Sequence, residues 1–156
     1  MTPFSLFLSG LAQAVIVVAG WYVVHILSVN RDRDKARRET IVAASDALST
    51  LVNTLLADAR AYHSAERDIS DELLIKMAIQ DISLQLTSLS DIFSNTSTLA
   101  HCRTRVLRLR RAITGAHFED EHLSPLADND RQYQVMAEAA LELKRVLIQI
   151  KHQQLL

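Results

Sequence analysis

The amino-acid sequence predicts an all-α protein in which one N-terminal transmembrane helix continues into a cytoplasmic antiparallel helical bundle. Residues 4–29 hold no Asp, Glu, Lys or Arg, as expected of a membrane-spanning segment. Beyond residue 40, apolar residues recur at steps of three and four, the period of an amphipathic helix. Three Gly and two Pro are too few for a turn-rich β fold. The predicted organisation is an anchor at 1–30, a basic juxtamembrane segment at 31–40 and a bundle at 41–156.

The first predicted element is the membrane anchor. A bilayer core about 30 Å thick needs roughly 20 helical residues to cross it, and residues 4–29 are long enough. A lone segment in lipid can satisfy its backbone hydrogen bonds only as a helix. A cleaved signal peptide is the alternative, because Ala12-Gln13-Ala14 matches a small-x-small cleavage site. It is the weaker alternative, since no basic residue precedes the apolar run and the run continues well past the site.

The second element is a basic segment that predicts the orientation of the anchor. Its cations, diluted by two aspartates, are Arg31, Arg33, Lys35, Arg37 and Arg38. Lys and Arg beside a membrane segment fix the side that stays in the cytoplasm. We therefore expect the N-terminus outside, the rest of the chain in the cytoplasm, and these cations at the lipid headgroups. Trp21 and Tyr22 are expected in an aromatic belt near the inner interface.

Four amphipathic segments predict the bundle helices, at about 41–65, 70–94, 98–114 and 129–153. The predicted core residues are Ile41, Ala44, Leu48, Leu51, Leu55 and Tyr62; Ile75, Ile79, Ile82, Leu86, Leu89 and Phe93; Leu99, Cys102, Val106, Leu109 and Ile113; and Met136, Ala140, Leu143, Leu147 and Ile150. Short connections make antiparallel neighbours the simplest packing. Ser70 is the predicted N-cap of the second segment and Gly115 the C′ residue of the third. The sequence leaves open whether the bundle closes within one chain or between chains.

Small and polar residues on one side of the anchor predict a self-association face. Gly10, Gln13, Val17 and Gly20 follow one another at steps of three, four and three. Small residues let helices approach closely in lipid, and a buried amide favours a partner across the interface. A homo-oligomer is therefore expected. The alternative is that Gly, Ser and Ala are simply common in membrane helices.

The third bundle segment carries an arginine-rich face. Its members are Arg103, Arg105, Arg108, Arg110 and Arg111. At roughly 100° per residue, they occupy the arc opposite the predicted apolar face. One interpretation is a contact with anionic lipid or phosphate, because the tether holds the bundle near a negatively charged leaflet. The simpler interpretation is the solvated face of an amphipathic helix, partly paired with nearby acids.

The sequence predicts no enzyme, cofactor or metal site. It has no Gly-rich phosphate loop, paired-Cys pattern or nucleophile elbow. His117 and His122 flank the acidic run 119–121, which supplies metal-binding atoms without a defined shape. Cys102 is the only cysteine and is expected to be a small buried apolar residue. A formal net charge of −1 argues against nucleic-acid binding.

Residues 20–39 read Gly-Trp-Tyr-Val-Val-His-Ile-Leu-Ser-Val-Asn-Arg-Asp-Arg-Asp-Lys-Ala-Arg-Arg-Glu. This stretch resembles the anchor of a loose group of uncharacterised bacterial single-pass membrane proteins. Their one membrane helix ends in a Gly-Trp-x-Val-x-His element followed by a basic segment. The resemblance implies a bacterial inner-membrane location and a helical cytoplasmic part, and it assigns no catalytic or binding residues.

Two functional hypotheses follow. The first is a non-enzymatic, membrane-tethered helical interaction or scaffold protein that self-associates and presents its bundle to a cytoplasmic protein partner. The second is a membrane-acting effector of the phage-exclusion or cell-disabling type, in which oligomerised anchors perturb the bilayer. A single polar side chain, Gln13, in the anchor is a poor lining for a pore, so the first hypothesis is preferred.

Overall fold

A computed structural model describes residues 3–93, 96–115, 118–120 and 124–155; the side chains of residues 3–17, 19, 91, 96, 154 and 155 are left undescribed. The helices are α1 (Pro3–Ser64), α2 (Ile69–Ile92), α3 (Thr96–Ile113) and α4 (Arg131–Leu155). The described residues form no strand. The predicted all-α class is confirmed.

The chain divides into an anchor unit, Met1–Glu39, and a bundle unit, Thr40–Leu156. Helix α1 contributes to both. Within Gly20–Ser64, this helix contains a stretch that is long and apolar enough to cross a membrane. Its bundle portion is apolar mainly on one face, and that face is buried. The apolar side chains of the anchor unit, by contrast, are exposed from Val18 to Leu27.

Side-chain contacts show that α4 runs antiparallel to its neighbours α1 and α3. Along α1 and α4, Asp46 pairs with Lys151 and Asn53 accepts a hydrogen bond from Lys144, so the numbers rise on one helix as they fall on the other. Along α3 and α4, Arg105 meets Glu142 and the carbonyl of Ala112 accepts from Gln132, in the same descending order. The bundle core therefore forms within one chain.

The core consists of the seams that the sequence predicts. Every seam residue of α2, α3 and α4 is buried, and on α1 only Ala44 and Leu51 are half-buried. Val52 and Ala59, which the sequence predicts to widen the α1 seam, are buried. The sequence did not single out Ala112, Tyr133 and Ala139, yet they are buried as well. Each burial of a large apolar side chain contributes about 1.5–3 kcal/mol to the free energy of unfolding. The four seams therefore hold the bundle together.

Two predicted helix ends are wrong in detail. Asp68, not Ser70, caps α2: its carboxylate accepts from the Ser70 N–H at 2.8 Å and the Ser70 hydroxyl at 2.7 Å. The carboxylate, placed before the first turn, satisfies a free N–H and complements the helix dipole. Gly115 does not adopt the left-handed conformation of a C′ glycine. A Cβ there would lie 3.3 Å from Gln132 Nε2, so the glycine allows the α4 start to approach α3 closely.

Leu143→Ala is expected to lower the free energy of unfolding by about 2–5 kcal/mol, because Leu143 is 2% exposed and its truncation leaves a cavity. Urea denaturation of the full-length chain in nonionic detergent measures the change. Leu141→Ala is the matched control on the same helix, where Leu141 is 48% exposed, and we expect a change within about 0.5 kcal/mol. Equal effects of the two variants would contradict the described core.

Candidate interaction surfaces

Helix α2 is apolar on two opposite faces. One face forms the core seam, and the other exposes large side chains to solvent by 58–72%: Ile69, Leu73, Leu74, Met77 and Leu84. At roughly 100° per residue, these five cluster on the side of α2 that faces away from the buried seam. We call them the α2 apolar face. Apolar side chains this numerous and contiguous on a helix surface are typical of a contact with another molecule.

The sequence analysis missed the α2 apolar face. Its signal was present, since Ile69, Leu73 and Met77 recur at steps of four, in register with one another but out of register with the core seam. A search for a single apolar stripe finds the richer seam and stops there. Which stripe faces the core is decided by the neighbours α1 and α3.

The predicted arginine face of α3 divides into two groups. Arg105 and Arg108 turn toward α4, where their Nη1 atoms lie 2.7 Å and 2.6 Å from Glu142 Oε2. The hydrogen bond from Arg108 and the charges of both guanidinium groups lower the pKa of Glu142. These two arginines hold α3 to α4 and are not an open anion surface.

The other arginines of this face, Arg103, Arg110 and Arg111, are exposed. Within the described part of the chain, none of the three lies within ion-pair distance of a carboxylate. Arg110 lines a cavity of about 620 Å³ between α2 and α3. The remaining lining residues are Lys76, Ile79, Gln80, Ser83, Thr114, Phe118 and Glu119.

A buried polar cluster lies where α1 ends and α2 begins. Glu72, 4% exposed, accepts a 2.9 Å hydrogen bond from Tyr62 Oη and a 2.6 Å bond from Arg67 Nε. The bond from Arg67 is the main cause of the lowered pKa of Glu72, and burial raises the pKa of Tyr62. His63 is fully buried, with Nε2 3.0 Å from the carbonyl oxygen of Ile113. Its backbone carbonyl accepts from the N–H of Leu126, which ties the α3–α4 connection to α1.

The segment that connects α3 to α4 contains the acidic run 119–121, and the structure describes part of it. Glu119 forms an ion pair with Lys76, and its backbone N–H lies 3.4 Å from Tyr62 Oη. His117, Glu121 and His122 lie outside the described residues. Among the residues that are described, no group of three His, Cys, Asp or Glu side chains could hold a metal ion. Cys102 is fully buried, and burial raises its pKa to about 11.

The anchor unit exposes apolar side chains around the whole helix. Those exposed by 40–67% are Val18, Trp21, Tyr22, Val23, Val24, Ile26 and Leu27. The ring of Trp21 stacks on His25, with centroids 5.4 Å apart and planes 5° apart. An apolar ring of this kind is the surface that lipid or a partner helix covers.

The structure describes the basic segment fully, but beyond the backbone it describes only one residue of the predicted self-association face. The side chains of Gly10, Gln13 and Val17 lie outside the described residues. A Cβ built on Gly20 meets nothing within 4 Å, so packing within the protomer does not require this glycine. In the basic segment, Arg31, Arg33, Arg37 and Arg38 are exposed, and Lys35 lies 3.9 Å from Glu39.

No protein-family model, curated protein sequence or solved structure matches this chain.

Glu72→Gln is expected to lower the free energy of unfolding at neutral pH by about 1–3 kcal/mol, because it removes the charged acceptor of the buried Tyr62 hydroxyl and the half-buried Arg67 guanidinium. The native pKa of Glu72 lies below the ordinary value of 4.5, so the stability it contributes is present above that value. It is lost as the pH falls through the native pKa. Urea denaturation at several pH values between 7 and 3 measures the free energy of unfolding of the wild type and of Glu72→Gln.

The control for this experiment is Asp81→Asn, which changes an exposed carboxylate on the same helix. We expect the difference between wild type and Asp81→Asn to be small at every pH. The interpretation fails if the wild type and Glu72→Gln differ by the same amount at pH 3 and pH 7.

Proposed function

We propose that this chain is a membrane-tethered helical interaction protein that self-associates. One observation carries the proposal. The chain exposes large apolar side chains in two places, around the anchor helix from Val18 to Leu27 and along the α2 apolar face. Neither is covered by the chain's own bundle core, and exposed apolar surface of this extent is costly in water.

The anchor is assigned to the bilayer. Residues 4–29 carry no formal charge and are long enough for a span, and the exposed side chains encircle the helix as lipid contact requires. The cluster Arg31–Arg38 favours a cytoplasmic location for everything that follows it. The resemblance of residues 20–39 to bacterial single-pass anchors supports the inner membrane.

The α2 apolar face is assigned to a second copy of the chain. Its five side chains, 58–72% exposed, form a patch on one helix, so a two-fold pair would lie at or below the small end of specific interfaces, roughly 1,200 Å² in total. A surface this small becomes an effective contact when the tether already confines both copies to one membrane. The five positions carry no charge, so two copies of the face can meet without burying an unpaired ion.

The membrane assignment makes a prediction about location. The full-length chain should pellet with membranes and stay there in alkaline carbonate, because an apolar helix is held by hydrocarbon rather than by charge. A C-terminal tag should resist protease added outside intact cells and be cleaved after lysis. A chain released by carbonate, or a tag digested from outside, would contradict the assignment.

The self-association assignment predicts a variant that separates copies. Met77→Lys, at the centre of the α2 apolar face, should reduce crosslinked oligomer in native membranes about tenfold or more, because it places a charge in a desolvated contact. Leu107→Lys is the control, since Leu107 is 54% exposed and lies on α3. Its oligomer yield should stay at the wild-type level.

Gly20→Leu distinguishes self-association through the anchor helices from self-association through the α2 apolar face. If the anchor helices meet along their small residues, this variant lowers the crosslinked yield without changing the thermal midpoint, because a Cβ at this position has open space around it in the protomer. Val18→Leu is its control on another side of the helix. If Met77→Lys and Gly20→Leu both gave the wild-type yield of crosslinked oligomer, the self-association assignment would be contradicted.

A further inference from the structure

We propose that the cavity between α2 and α3 binds a small organic anion that carries an apolar body. Its volume of about 620 Å³ lies in the roughly 300–1,000 Å³ range of small-molecule sites. The proposal is independent of the membrane assignment and of the α2 apolar face, because the described lining residues all belong to other positions of the bundle.

The charge of the cavity favours an anion. Arg110 and Lys76 are its cations, and Glu119 is the one carboxylate among the described lining residues. Lys76 and Glu119 form an ion pair with each other. One positive charge therefore remains, on Arg110, which has no described carboxylate partner. A guanidinium binds phosphate or carboxylate through two parallel N–H donors.

Arg110 is held in a suitable position for this role. Its side chain also lines an interior gap too small for water, together with core residues such as Ile82 and Val106. Arg110 therefore borders both the core and the cavity, a placement that suits a side chain whose aliphatic stem packs on apolar surface while its charged head stays in water. Arg103 is exposed on the same helix but does not line the cavity.

Two residues of the cavity lining offer contacts to an apolar body. Ile79 is buried beneath it, and the half-buried Phe118 forms a wall. The Lys76 ammonium lies 5.8 Å from the centroid of the Phe118 ring. Gln80, Ser83 and Thr114 add polar groups to the lining. Polar residues therefore outnumber apolar ones around the cavity, and Ile79 and Phe118 supply the contact for the apolar body of the anion.

The segment that carries Phe118, the wall of the cavity, is fixed to the rest of the bundle by the next residue, Glu119. This residue has φ 65°, a left-handed conformation that non-glycine residues adopt in only a few per cent of cases. Its N–H faces the hydroxyl of Tyr62 and its carboxylate binds Lys76, so contacts from α1 and α2 hold the conformation. Conformations of this kind persist where the surroundings determine them, often at ligand clamps.

The test is a calorimetric titration of the full-length chain in nanodiscs of zwitterionic lipid, with phenyl phosphate as the probe. We expect saturable binding of phenyl phosphate, weaker binding of inorganic phosphate, which lacks the apolar body, and none of phenol, which lacks the charge. Arg110→Gln should weaken phenyl phosphate binding roughly tenfold or more through loss of the charged donors. Arg103→Gln, the matched control, should bind within twofold of wild type.

Ser83→Leu provides a second variant that changes no charge. The Ser83 hydroxyl donates only to its own helix, at the Ile79 carbonyl, so the substitution fills the cavity without breaking a contact between helices. It should abolish binding while leaving the thermal midpoint unchanged. Repeating the titration in anionic nanodiscs identifies the source of the anion, since competition there points to a lipid headgroup and an unchanged affinity points to a free ligand.

The proposal is overturned if phenyl phosphate fails to saturate wild type. It is also overturned if Arg110→Gln and Arg103→Gln weaken binding equally, because the affinity would then reflect general surface charge. Failure of this proposal is distinguishable from failure of the self-association assignment, because the titration measures ligand binding whereas crosslinking of the wild type, with and without phenyl phosphate, measures the yield of oligomer.

Discussion

Removal of apolar surface from water is the constraint on which the rest of this structure depends. Each bundle helix buries one seam, and together the seams account for the core. The chain has more apolar surface than the core can take up. The anchor helix and the outer face of α2 keep theirs exposed. This surplus is the observation behind the proposal that lipid and a second copy of the chain cover those two surfaces.

Electrostatic contacts in the bundle fix how the seams meet rather than supplying the main driving force. Exposed pairs such as Lys151–Asp46 contribute little to stability, because water screens them. The buried Glu72 cluster differs, since its carboxylate is satisfied by Tyr62 and Arg67 and would be costly if left unpaired. That cluster joins α1 to α2, and through Tyr62 and Glu119 it also holds the connection that walls the α2–α3 cavity.

The arginines of α3 show why one sequence pattern can serve two purposes. All five lie outside the predicted seam, and the sequence predicts them together as one face. The structure separates them, because Arg105 and Arg108 reach Glu142 on α4 whereas Arg110 reaches the cavity beside α2. The two neighbours of α3 therefore decide which charge links helices and which remains available to an anion.

The sequence by itself determined the all-α class, the four helices and nearly every core position, because apolar periodicity and the scarcity of Gly and Pro are local properties of the chain. It also marked the uncharged run 4–29 and the cations behind it. Only the tertiary structure decided that Asp68 rather than Ser70 caps α2, and which stripe of α2 stays exposed. It alone placed Lys76, Arg110 and Phe118 around one cavity. Those outcomes depend on which helices become neighbours, a relation between distant residues that no local spacing encodes.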